Sequence, residues 1–186
     1  LSKVKKKFSL PKNFLLAVGH LEPRKNYINL IKAYKNLKII KNISPLFIIG
    51  NDNGQKDKLV KLIAELQLEK SVFIYSGISD EDLICFYKLS TLLVFTSYLE
   101  GFGIPILEAM ASGKPILLSD IKVFRDLTEN RYIYVNPFNI QEISNGIMKM
   151  LENELLINTQ ISYNNGRVKE FCFSQISNKL ADIYSS

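Results

Sequence analysis

The chain has 186 residues, 47% apolar and 23% charged, an ordinary globular composition that suits one domain with a real core, and it carries no solenoid-type repeat. Lys and Arg number 24 against 18 acids, and the net charge of +6 is compatible with an anionic ligand, nucleic acid or an acidic membrane without choosing among them. Much of the Lys accompanies abundant Ile and Asn, so compositional bias explains the charge at least as well as a binding surface does, and no aromatic-interleaved signature of nucleic-acid binding is present.

Residues 1–12 carry Lys3, Lys5, Lys6, Lys7 and Lys12 and read as a solvated basic linker ending at Pro11. They lack the apolar core of a signal peptide, and no run in the chain reaches membrane-spanning length. The missing initiator Met suggests a piece of a longer chain. From residue 13 onward short apolar runs alternate with amphipathic stretches, which predicts βα units and a mostly parallel sheet.

Strand 14–19 leads to a helix capped by Asn26, with Tyr27, Leu30, Ile31, Tyr34 and Leu37 on its buried face. Strand 46–50, the turn Asn51-Asp52-Asn53-Gly54 and a helix marked by Leu59, Leu62, Ile63 and Leu66 form the next unit. After strand 72–75, Ser79 and Asp82 give a near capping box for helix 80–89. Strand 92–95 and the strand from Pro115 to Leu118 flank a glycine loop and helix. A short helix near 121–127, a weaker strand 132–135 and a helix from about Ile140 to Glu152 follow, the last with Ile143, Ile147 and Met150 inward. Residues 154–186 read as two helical pieces, with Gly166 a break and Ser174 a cap for the second. Cys85 and Cys172 stand far apart in apolar surroundings, which suggests neither a metal cluster nor a disulfide and points to a reducing compartment.

The most informative segment runs from Thr96 to Pro115. Gly101, Phe102, Gly103 and Ile104 precede Pro105, a residue suited to the first helical turn, and none of them is a good N-cap. Open N–H groups and the positive end of the helix dipole attract an anion such as phosphate, and glycines let the backbone approach it. Glu100 at the loop entrance and Glu108 in the first turn then offer acceptors to a polyhydroxyl ligand. The alternative stays open that the glycines only shape a turn and that Glu108 only complements the dipole.

Ligands of such sheets bind beyond the carboxyl ends of the strands, which brings Arg24, Lys25 and Glu100 to one side. Cations at a helix N-terminus oppose the dipole, so an anionic ligand would give Arg24 and Lys25 a reason. His20, the only histidine, suits general acid–base chemistry or simply a partner hydrogen bond. Neither a dinucleotide fingerprint nor a Walker loop is present. Asp80-Glu81-Asp82 reads as a helix cap rather than a metal site, and no metal is expected.

Gly19-His20-Leu21-Glu22-Pro23-Arg24-Lys25-Asn26 and the Glu-x7-Glu block from Glu100 to Glu108 resemble the C-terminal, donor-binding domain of GT-B glycosyltransferases, specifically the retaining family 4. Ile48-Ile49-Gly50, the run from Gly77 to Leu83, Ser112-Gly113-Lys114-Pro115 and Val135-Asn136-Pro137 add weaker support. The resemblance implies an α/β fold, a Rossmann-like parallel sheet with helices on both faces, over residues 13–186. It implies that Glu108 binds the nucleotide ribose, that Glu100 faces the donor sugar, and that N–H groups of Gly101, Phe102, Gly103 and Ile104 meet sugar and diphosphate. Lys25, aided by Arg24, would stabilise the departing diphosphate, with Gly19, His20, Gly77 and Ile78 lining the donor site. No cofactor or metal is implied.

The Leu-Glu-Pro-Arg-Lys-Asn variant looks like members that transfer mannose in polysaccharide or O-antigen assembly, which implies a nucleotide sugar such as GDP-mannose. The implied setting is cytoplasmic, with peripheral contact at the inner face of a membrane. His20 stands where many relatives carry an Arg, and Arg24 is the available substitute. The acceptor domain of such enzymes is N-terminal and lies outside this sequence, so this chain alone should bind donor but transfer poorly. A non-catalytic nucleotide-sugar module, or an epimerase or hydrolase of similar architecture, remains an alternative.

Overall fold

The computed structural model describes residues 1–41 and 43–172. Six strands, β1 (Leu15–Val18), β2 (Leu46–Ile49), β3 (Val72–Tyr75), β4 (Leu92–Phe95), β5 (Ile116–Ser119) and β6 (Ile133–Val135), pair in parallel in the order β3-β2-β1-β4-β5-β6. Among the described residues eight α-helices accompany them: α1 (Ser2–Lys7), α2 (Tyr27–Ile40), α3 (Lys56–Glu65), α4 (Asp80–Leu89), α5 (Ile104–Ala111), α6 (Lys122–Leu127), α7 (Ile140–Glu152) and α8 (Glu154–Arg167).

Strands β1, β2, β4 and β5 are buried at every position, as expected for parallel strands covered on both faces. Alternate side chains serve opposite layers. Leu15, Ala17, Leu46 and Ile48 pack with α2, α3 and α7, whereas Leu16, Val18, Phe47 and Ile49 pack with α4, α5 and α6. This is the predicted Rossmann-like sheet with helices on both faces. Strand order reverses between β1 and β4, so the loops leaving those two strands lie side by side at the carboxyl edge.

Four expectations change. Residues 1–12 are not a solvated linker: α1 is followed by Phe8, whose ring lies 5.4 Å from that of Tyr75 and 5.1 Å from that of Phe86, and by Leu10, which is 4% exposed. The lysines of α1 face water while Val4 and Phe8 cover the aromatic end of β3, a pattern the dense charge concealed. Asn26 precedes α2 with φ 60°, but its side chain caps nothing; its Nδ2 donates to the carbonyls of Thr96 at 3.0 Å and Pro137 at 2.7 Å, tying the exits of β4 and β6 to the start of α2. The first turn of α5 begins at Ile104, so Glu108 stands in the second turn. Gly166 does not interrupt α8, and the Ser174 cap lies outside the described residues.

Candidate functional site

The loop after β1 is shaped by two glycines. Gly19 has φ +143°, its N–H donates to the Ile49 carbonyl at 2.9 Å, and its carbonyl accepts from the Tyr27 hydroxyl at 2.8 Å. A Cβ on Gly50 would stand 1.9 Å from the Gly19 oxygen, and one on Gly19 would stand 2.8 Å from Lys25 Cε. The backbones of the β1 and β2 exits therefore close on each other, and the Lys25 side chain runs against the bare Cα of Gly19.

Arg24 and Lys25 lie in a 3-10 turn, Pro23–Lys25, that precedes α2. Lys25 Nζ donates to Glu100 Oε1 at 2.7 Å and sits 4.9 Å from the centre of the Phe95 ring. Arg24 Nη1 donates to Glu100 Oε2 at 2.7 Å, and Arg24 Nη2 lies 2.6 Å from Glu22 Oε1. The Lys25 and Glu100 side chains are each 7% exposed. Burial pushes the Glu100 carboxyl up, but the hydrogen bonds from Lys25 and Arg24 and the charge of Lys25 outweigh it and hold the group below its ordinary range. The two cations thus have carboxylate partners within the chain, Glu100 for both and Glu22 for Arg24.

At the other side of the crevice, Gly103 has φ +102°, and a Cβ there would stand 3.0 Å from Ile106 Cδ1 and 3.3 Å from Phe124. No side chain caps α5, and among the described residues no N–H of positions 101–104 donates to a backbone carbonyl. The start of the helix is open, as the sequence indicates. Glu108 projects from the second turn, beyond the reach of a simple dipole explanation. Its Oε2 accepts a 2.7 Å hydrogen bond from the hydroxyl of Tyr87, a residue of α4 that is 1% exposed.

Between these walls lies a cleft of about 390 Å³. Gly19, His20 and Lys25 line one side, Gly77 and Ile78 the end of β3, and Ile104, Pro105 and Glu108 the other side. Arg24, Glu100, Gly101, Phe102 and Gly103 do not line it. Arg24 is turned to its carboxylates and His20 takes the lining position, while Phe102 meets the edge of Phe171 with ring centres 5.9 Å apart. Gly101 has open space around its Cα, so no steric contact explains a glycine there.

Two further residues escaped the sequence reading. Asn51 lines the cleft, and its Oδ1 accepts the Gly77 N–H at 3.0 Å, fixing the β3 exit, where Gly77 has φ +67°. Tyr87 was hidden because an aromatic on a helix's inner face reads as core. Among the described residues no helix is long and apolar enough to cross a membrane.

Residues 2–167 match the family model described as glycosyl transferases group 1. The chain is 34% identical over 157 residues to the serotype-specific mannosyltransferase WbdA of Escherichia coli, covering 83% of this chain and 19% of that protein. It is 37% identical over 125 residues to the O-antigen chain mannosyltransferase RfbU of Salmonella typhimurium, covering 67% of this chain and 35% of that protein. It therefore spans well under half the length of these relatives. Anabaena Alr3699/HepE in complex with UDP superposes with a TM-score of 0.86 at 24% identity over 99% of this chain and 52% of that one. The C-terminal domain of the Francisella tularensis group 1 protein LpcC gives 0.76 at 20% identity, over 91% of each chain. These two likenesses are of fold.

Proposed function

The chain belongs to the group 1 glycosyl transferases, and from that membership we propose that it is the donor-binding domain of a retaining, family 4 enzyme that moves a hexose from a nucleoside diphosphate sugar to a glycan or lipid-linked acceptor. The observation that carries the reading is the cleft that has Lys25 on one wall and the Tyr87-held Glu108 on the other. A cation across from a hydroxyl acceptor matches the two ends of a ribose–diphosphate unit. At the uncapped start of α5 between them, the N–H of Ile104, a lining residue, is placed to donate to phosphate. Mannose is the favoured sugar, supported by the names of WbdA and RfbU, and GDP-mannose the favoured donor.

In the reaction the bond from the anomeric carbon to the diphosphate oxygen breaks with its electron pair on the diphosphate. An acceptor hydroxyl oxygen bonds to that carbon, and its proton leaves to the departing phosphate oxygen. Retention places the acceptor on the face the diphosphate vacates. Lys25 offsets the charge that grows on the leaving group, in a site shielded enough for a fixed cation to count. Arg24 acts from behind, by sharing Glu100 and so keeping that carboxylate from fully neutralising Lys25. No metal is assigned to this step. Glu100 has both oxygens engaged by Arg24 and Lys25, and its role in the reaction is to turn toward the donor sugar once diphosphate takes Lys25. An N-terminal acceptor domain of a longer protein completes the active site, at the inner face of a membrane.

Calorimetric titration of the chain with GDP-, UDP- and ADP-sugars tests this. Binding of one class in the micromolar range is expected, with GDP-mannose first; silence toward all three would remove the donor-site assignment.

A further inference from the structure

The groups inferred for donor binding from the sequence lie on loops or helix starts, apart from Glu108 in the second turn of α5, and its carboxylate is controlled from elsewhere. Tyr87 belongs to α4, a helix with no other residue assigned to the reaction, and its side chain is buried to 1% exposure among Phe86, Met110 and their neighbours. Its hydroxyl reaches Glu108 Oε2 at 2.7 Å. Glu108 itself is half-buried and lines two adjoining cavities, the 390 Å³ cleft and a second of about 480 Å³ between α4 and α5 that Tyr87 also lines. A free Glu side chain at that junction could rotate into either space. The Tyr87 bond selects one rotamer and leaves Oε1 without a donor among the described residues.

We propose that Tyr87 is a positioning residue for nucleotide recognition: it locks the Glu108 carboxylate so that a ribose hydroxyl is read by a pre-set acceptor. The proposal rests on the reading of Glu108 as the ribose ligand. Two properties suit Tyr87 to the task. Its ring is immobilised by the core, so the hydroxyl adds no rotational freedom. Burial, and then the neighbouring Glu108 charge, holds the phenol well above its ordinary value, so it stays a donor across the neutral range. A pre-oriented carboxylate binds a hydroxyl without first losing side-chain entropy, which is where the gain in affinity arises.

The test compares UDP and GDP with their 2′,3′-dideoxy counterparts by calorimetry. The wild-type chain should prefer the ribo form of the base it accepts by about 10-fold or more, as for a hydrogen bond to a charged group. Tyr87→Phe keeps the buried ring and should leave dideoxy affinity unchanged, while cutting that preference to about threefold or less. In a Glu108→Ala background Tyr87→Phe should have no further effect on the ribo form, because the residue it positions is gone. Equal weakening of ribo and dideoxy forms by Tyr87→Phe would show a merely structural role and overturn the proposal. So would additive losses in the double variant. If the wild type binds nucleotide but shows no ribo preference, the Glu108 reading fails first, an outcome visible before any variant of Tyr87 is made.

Discussion

Lys25 and Glu100 come from loops that follow different strands, β1 and β4, and meet at 2.7 Å with each side chain 7% exposed. The pair is the fastener of the switch point. It joins the two halves of the sheet where their order reverses, and Arg24 extends it to Glu22.

Removing one member of a buried pair strands the other. Glu100→Ala should therefore lower unfolding free energy by about 3 kcal/mol in urea melts. Since the folded Glu100 carboxyl lies below its unfolded value, its contribution is full above the ordinary carboxylate range and is lost as pH falls through the depressed value. The gap between wild type and variant should accordingly close on acidification; a gap constant from pH 7 to pH 3 would contradict the linkage.

Lys25→Met keeps the apolar stem against Gly19 and Phe95 and deletes the charge. Affinity for nucleoside diphosphates should drop roughly 10- to 100-fold, with nucleoside affinity changed about threefold or less. Parallel loss for both ligands would place Lys25 outside the phosphate site.

Glu108→Ala leaves the core of α5 intact, since Ile106, Ala109 and Met110 make its buried face. Nucleotide binding should weaken about 10-fold while thermal stability moves little. An unchanged dissociation constant beside an unchanged melting temperature would remove Glu108 from recognition.

Gly50→Ala tests the backbone closure at the site. The new methyl would meet the Gly19 oxygen at 1.9 Å, a collision with main chain that no rotamer change relieves. Destabilisation of about 3 kcal/mol or more is expected, with donor binding lost in whatever remains folded. Gly101→Ala, where the Cβ meets open space, should cost less than about 1 kcal/mol by the same melt.

The strands and most helices were legible because parallel strands write themselves as unbroken apolar runs and helices as three-and-four spacing. Ser79 shows the local case: its hydroxyl accepts the Asp82 N–H at 3.3 Å, the capping expected from four adjacent residues. Asn26 shows the opposite. Its residue type indicates a cap, but partners 70 and 111 residues away took its amide, and nothing local announces them. Residues 2–10 misled for a related reason, since five lysines within twelve residues hid Val4, Phe8 and Leu10, three apolar side chains that join the core on the side of α4.

By itself the sequence determined the order of elements, the glycine loop with its uncapped helix, and which residues could serve an anion and a polyhydroxyl ligand. These are properties of neighbours along the chain. Only the tertiary structure decided that Arg24 and Lys25 already have carboxylate partners, that Glu108 stands one turn too far for the dipole to explain it, and that Tyr87 holds it. Such facts depend on contacts between α4 and α5 or across the β1–β4 switch. Pairwise distances between remote segments are fixed by sheet topology, which no local spacing encodes.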